Sequence, residues 1–150
     1  MKNNLIPVTI VGAALTLLMG GQAPQIEHAE LKNMIVGLGY EVKDISTEPG
    51  KEKVEFKMKT DGFDVPIGAE VSPSKNYIWF TVNLGTFKPD RSAALIKQNQ
   101  KIQPNFFYAT DKDVLMMGIA VDNRGVNPAT VKRVTDKLAA DVDKTSKDWQ

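Results

Sequence analysis

The sequence predicts an α+β fold, an antiparallel β-sheet with helices packed on one face, in the order α-β-β-β-β-α-β-β-α. Three observations carry this. The runs Lys53–Lys59, Phe63–Val71 and Asn76–Gly85 alternate apolar and polar residues with period two, and only short turns part them. That is an antiparallel meander with one buried face. Apolar stripes at helical spacing stand before these strands, after them and at the end of the chain. A second, more apolar strand pair lies between the last two helices.

Ile26–Leu38 reads as the first helix, because Leu31, Met34, Ile35 and Leu38 fall at i, i+3, i+4 and i+7. Gly39 stands where a left-handed residue ends a helix, and Tyr40 follows as its apolar neighbour. Tyr40–Ser46 is a short strand, and Pro49-Gly50 turns the chain. Val54, Phe56 and Met58 alternate with Lys53, Glu55, Lys57 and Lys59 in the next strand. Asp61-Gly62 is a hairpin signal. The return strand puts Val65, Ile67 and Ala69 on one face; Pro66, which cannot donate to a ladder, calls for an edge position or an unpaired side. After the Ser72–Lys75 turn, Ile78, Phe80, Val82 and Leu84 point one way, and Tyr77, Trp79, Thr81 and Asn83 the other.

Asp90 is the expected N-cap of a middle helix anchored by Leu95 and Ile96 and ended by Pro104. Asn105–Thr110 and Val114–Val121 form a hairpin around Asp111–Asp113, apolar on both faces and so expected to be covered on both sides. Asn127-Pro128 opens the last helix with a cap residue and Pro at the first position. Its stripe is Val131, Val134, Leu138 and Val142; Asp143 and Lys147 are spaced as an i,i+4 ion pair, and the tail frays unless Trp149 docks. Phe56, Ile67, Phe80, Val82, Leu95, Leu115 and Leu138 are the expected common core.

Of the 150 residues, 19 are basic and 18 acidic. A near-neutral chain without a basic stripe does not fit a nucleic-acid binder. The absence of cysteine excludes disulfides, thiolate metal sites, a cysteine nucleophile and a lipobox anchor. A single histidine leaves no material for a His-based metal site or a Ser-His triad.

The N-terminus reads as an export leader. Lys2 precedes fifteen uncharged, mostly apolar residues, Leu5–Met19, and Gly20, Gly21, Gln22 and Ala23 follow. The run is short against the roughly 20 residues of a spanning helix. Gly21 suits cleavage after Ala23 and Pro24 opposes it, so residues 1–23 are a signal peptide or an N-terminal anchor. Residues 24–150 form one α+β domain placed outside the cytoplasm, periplasmic or secreted, and membrane-bound only through an uncleaved leader.

A helix ending in LGYEV (Leu38–Val42), a three-strand meander, LIKQNQKIQPNFFYATDKDVLMMGIAV (Leu95–Val121) and a capped helix together resemble the YbjN-type proteins, which share the fold of type III secretion chaperones. The likeness runs from about Leu31 to Asp143, and its most specific part is the helix with Leu95, Ile96 and Asn99 followed by an aromatic strand and hairpin. It implies a small, often dimeric α+β domain that binds proteins or has no known activity. Secretion chaperones are cytoplasmic and usually acidic, whereas this chain is near neutral with an export-type leader. The resemblance therefore implies their fold and a binding role rather than their place in secretion.

No catalytic constellation stands out, and no cofactor or metal is expected. His28 has no partner ligand and reads as an exposed helical histidine. Asp111, Asp113 and Asp122 lack the spacing of a calcium loop. Asp64, Glu70 and Glu55 read as members of cross-strand ion pairs rather than an acid–base couple. Ser72, Ser74 and Ser92 lie in no nucleophile-elbow context, and the scattered glycines form no phosphate loop. Asn99 is the candidate polar structural residue, its amide satisfying nearby backbone groups. Tyr77 and Trp79, with Lys57 and Lys59 on the same face, are the candidate interaction surface. The leading expectation is an exported, non-enzymatic domain that binds a protein or peptide, chaperone-like, with a homodimer as one form it can take. The alternatives are an extracytoplasmic hydrolase using Asp or Glu residues and a membrane-tethered component of an envelope complex.

Overall fold

The computed structural model describes residues 23–150; apart from Ala23, the leader lies outside the described residues. The elements are α1 (His28–Gly37), β1 (Val42–Ser46), β2 (Lys53–Lys59), β3 (Asp64–Val71), β4 (Tyr77–Thr86), a 3-10 turn (Pro89–Arg91), α2 (Ser92–Asn99), β5 (Phe106–Ala109), β6 (Val114–Asp122), α3 (Pro128–Lys144) and the short α4 (Ser146–Trp149). The predicted α+β class and element order hold. One six-stranded antiparallel sheet runs β1-β2-β3-β4-β6-β5. The first four strands are a meander. The β5–β6 hairpin then folds back so that β6, not β5, joins β4.

The helices pack on one face, where the alternation puts its apolar residues. Phe56, Ile67, Phe80, Val82, Leu95, Leu115 and Leu138 are all buried in a common core, as the pattern predicts. The Asn127 side chain accepts from the Thr130 N–H at 3.0 Å and caps α3, with Pro128 in its first turn. Two polar residues enter the core on α3 with partners supplied, as burial requires. Thr135 Oγ1 donates to the Val131 carbonyl at 3.0 Å. Asp141 accepts from Asn105 Nδ2 at 2.6 Å and from Lys137 Nζ at 2.7 Å.

Several local expectations fail for identifiable reasons. Helix α1 starts at His28, because Glu27 and Glu30 form a capping box and hold Ile26 outside it. Asp90 sits inside the 3-10 turn, and the approach to α2 is tied by Ser92 Oγ donating to the Pro89 carbonyl at 2.7 Å. Ile96 is 68% exposed, whereas Leu95 and Ile102 are buried. A two-turn helix buries one narrow stripe, here Leu95 with Asn99 half-buried one turn on, and the next residue lies 100° round from it. The Asp143–Lys147 pair does not form: α3 ends at Lys144, and Asp143 accepts from the Gly62 N–H at 3.3 Å. The Asp61-Gly62 hairpin is present, but neither residue has a positive φ. A Cβ on residue 62 would stand 2.8 Å from Asp143 Oδ1, so a larger residue there would push the Asp143 carboxylate aside.

β3 is an interior strand, yet its ladder to β4 covers only Gly68–Val71 against Ile78–Thr81. Pro66 lies beyond that ladder, which is how an interior strand tolerates it. β4 also bulges between Asn83 and Gly85, whose φ is 98°. Trp149 docks at the opening, its Nε1 donating to the Val142 carbonyl at 2.9 Å and its ring 5.5 Å from Phe63.

Candidate functional site

Among the described residues, no helix covers the opposite sheet face. The β5–β6 hairpin, expected to be covered on both sides, is covered on one. Its second face consists of Phe106, Tyr108 and Met116, each half-buried, over Gly118 and Ala120. The apolar look of both faces arises because aromatic rings there lie across small residues rather than beneath a helix.

Register fixes the layout. One row crosses the sheet as Lys43, Glu55, Gly68, Thr81, Gly118 and Phe106. The next row contains Glu70, Trp79 and Ala120. Thr81 is buried although no helix covers it. The glycines on either side explain this. The Lys53 chain lies over Gly68, where a Cβ would come 2.7 Å from its Cε, and the Tyr108 ring lies over Gly118, with Cε1 at 3.3 Å from a Cβ position. Trp79 meets Phe106 edge to face at 6.2 Å, and Phe106 meets Tyr108 at 5.7 Å. These are favourable aromatic geometries. Trp79, Phe106, Tyr108, Thr81, Glu70 and the Ser72–Pro73 turn enclose a depression of about 500 Å³.

The electrostatics of this depression are simple. Glu70 is its one acidic lining residue. Lys53 approaches Glu70 only to 3.5 Å and Thr81 Oγ1 to 3.4 Å. Burial, and after it the Glu70 carboxylate, push the Tyr108 hydroxyl above its ordinary value, so the phenol stays protonated at neutral pH. At the end of the face, Tyr77 is opposite Asp122 and 49% exposed. Hydrogen bonds from the Arg124 side chain and backbone hold the Asp122 carboxyl at about 2.

The sequence-derived residues are thus distributed unevenly. Tyr77 and Trp79 share the open face. Lys57 pairs with Pro66 and lines a different depression with Glu41, Lys43 and Glu55. Lys59, beside the β2–β3 turn, lines a cleft against α3 with Asp61, Asp136 and Asp143. Lys53, two rows from Lys57 along β2, is the lysine near Trp79's cross-strand neighbour. Sequence reasoning did not single out Phe106 and Tyr108, and it read Glu70 as a member of a cross-strand ion pair, which Lys53 on the neighbouring strand supplies at 3.5 Å. The alternation Phe106, Tyr108 against the small residues Gly118 and Ala120 was the available signal. Among the described residues, no three carboxylate or histidine groups gather as metal ligands.

Two asparagines act as substitute peptide groups. Asn99, the last residue of α2, accepts from the Phe107 N–H at 2.7 Å and donates to the Phe107 carbonyl at 3.3 Å. It thereby pairs the outer edge of β5, a position that would otherwise invite another strand. Asn123, read from sequence only as part of a turn, is fully buried; it accepts from the Ile26 N–H at 3.2 Å and donates to the carbonyls of Ile26 at 3.0 Å and Lys75 at 2.8 Å.

Neither a protein-family model nor a curated protein sequence matches the chain. Solved structures do resemble it. A chain of the HopA1–SchA chaperone–effector complex superposes with a TM-score of 0.53 at 12% identity, over 73% of this chain and 84% of that one. A chain of the heterodimeric ExoU–SpcU complex from the type III secretion system of Pseudomonas aeruginosa gives 0.48 at 13% identity, over 79% and 96%. The first likeness shows that this chain shares the fold of that chain; the second is looser and adds no argument. The YbjN-type half of the resemblance has no counterpart among these matches.

Proposed function

We propose that this chain is a non-enzymatic protein- or peptide-binding domain, exported from the cytoplasm, that engages its partner through the open sheet face around Tyr77 and Trp79. The observation that carries the reading is the aromatic set Trp79, Phe106 and Tyr108 on a sheet face that none of the described helices covers. Rigid aromatic rings with a charged rim are the composition of interaction hot spots. The fold shared with a chain from a chaperone–effector complex makes a chaperone-like role the natural form of that binding. The YbjN-type pattern of Leu31–Asp143 and the apolar run Leu5–Met19 support the same role in an extracytoplasmic, YbjN-like protein, acting alone or as a homodimer.

The test compares the full chain with a Tyr77→Ser/Trp79→Ser variant. Partners are recovered from the cell envelope and identified by mass spectrometry, and oligomeric state is measured by sedimentation. The expected result is an unchanged melting temperature with a partner, or a dimer, lost selectively. A variant that folds and retains every association would refute the surface. Export is tested separately by fusing residues 1–25 to a reporter active only outside the cytoplasm; a silent reporter on an accumulating fusion refutes it.

A further inference from the structure

We infer that the depression bounded by Trp79, Phe106, Tyr108 and Glu70 is a receptor for a basic side chain of the partner, an arginine above a lysine. This rests on the open-face reading above and adds the chemistry of the ligand. The walls are three aromatic rings in a row, Phe106 touching Trp79 and Tyr108 with centroid separations of 6.2 Å and 5.7 Å. Aromatic faces attract cations, and a planar guanidinium also stacks on them.

Charge complementarity selects the cation. Among the described residues, Glu70 is the only charged one lining the depression. Its side chain is 35% exposed, and it pairs with Lys53 at 3.5 Å, longer than a charge-assisted hydrogen bond, so most of its acceptor positions stay open. The Lys53 stem lies over Gly68, on the β2 side of Glu70, and is not part of the lining. A carboxylate in this setting has acceptor capacity to offer an incoming guanidinium. The protonated Tyr108 hydroxyl and Thr81 Oγ1 add neutral polar groups that do not repel it. The volume of about 500 Å³ admits an arginine side chain with part of its backbone. Gly118 and Ala120 keep the space free, since larger side chains on β6 would rise between the rings.

The probe is an N-acetylated, C-amidated Gly-Arg-Gly tripeptide, set against its citrulline counterpart, which has the same shape and no charge. Binding to the full chain is followed by NMR, at the Trp79 indole and the Tyr108 ring. The arginine peptide should shift both, with an affinity about fivefold to tenfold above that of the citrulline peptide. Glu70→Gln should sharply reduce that difference, leaving only what the ring faces contribute, with the melting temperature unchanged, and Lys53→Met, which removes the competing ammonium, should tighten the arginine peptide. Equal binding of the two peptides overturns the cation inference while leaving an aromatic binding face standing. Undiminished discrimination in Glu70→Gln, weaker binding in Lys53→Met, or no shift with either peptide also overturns it. None of these outcomes decides the proposed function, which falls only if the Tyr77→Ser/Trp79→Ser variant keeps all its associations.

Discussion

Replacing Asn123 by alanine removes three hydrogen bonds from a fully buried amide. Two of them hold the N–H and carbonyl of Ile26, and the third holds the Lys75 carbonyl across the adjacent turn. At about 1 kcal/mol net for each bond, the loss comes to roughly 3 kcal/mol, less whatever water recovers at the Lys75 end. For a domain of this size that lowers the melting temperature by about 8–15 °C. Urea unfolding gives the free energy, and amide exchange gives the location. Exchange should accelerate most at Ile26 and at Gly125, whose N–H donates to the Pro24 carbonyl. Asn123→Asp sharpens the test. It keeps an acceptor for the Ile26 N–H but turns a carboxylate oxygen toward two carbonyls, so at neutral pH it should cost more than alanine. An alanine variant within about 0.5 kcal/mol of the parent, or an aspartate variant no worse than alanine, would refute the reasoning.

Phe80→Ala should cost about 3–5 kcal/mol in chemical denaturation, and Lys57→Ala less than about 0.5 kcal/mol; equal losses would contradict the facing of β2 and β4. Asn99→Ala should cost about 1–3 kcal/mol, with exchange accelerated at the Phe107 amide, and an unchanged Phe107 exchange rate would contradict its role as an edge partner. The Asp122 carboxyl should titrate at about 2 by NMR, and Arg124→Gln should raise it toward the ordinary carboxylate range. Because its folded value is lowered, any stability it lends is present at neutral pH and fades as pH falls through the ordinary aspartate range toward 2.

Period and turn chemistry made the meander legible: Phe56, Ile67 and Phe80 alternate with charged or small residues and turn at recognisable signals. The Asn127 cap and its stripe likewise announce α3. What escaped was decided by long-range contact. Phe106 and Tyr108 look like core residues until β6 is placed against β4, which puts both rings on the uncovered face. Asn123 looks like a turn residue, because its partners Ile26 and Lys75 are distant in sequence. Lys57 and Lys59 share a face with Trp79 by alternation, but the strand rise of about 3.4 Å per residue carries them away from it. Ile96 and Leu95 are equally apolar, and only the brevity of α2 makes one an anchor and the other a surface residue.

The two tryptophans lie on opposite sides of the sheet. Trp149 packs with Phe63 near the helices and donates its indole N–H to the Val142 carbonyl, while Trp79 meets Phe106 edge to face on the open face. Intrinsic fluorescence therefore contains two separable gauges. Trp79→Phe leaves an emission that follows docking of the C-terminal turn, and hence folding. Trp149→Phe leaves one that responds to whatever settles on the open face. With both variants in hand, a quencher or a ligand can be assigned to one side of the molecule without a label.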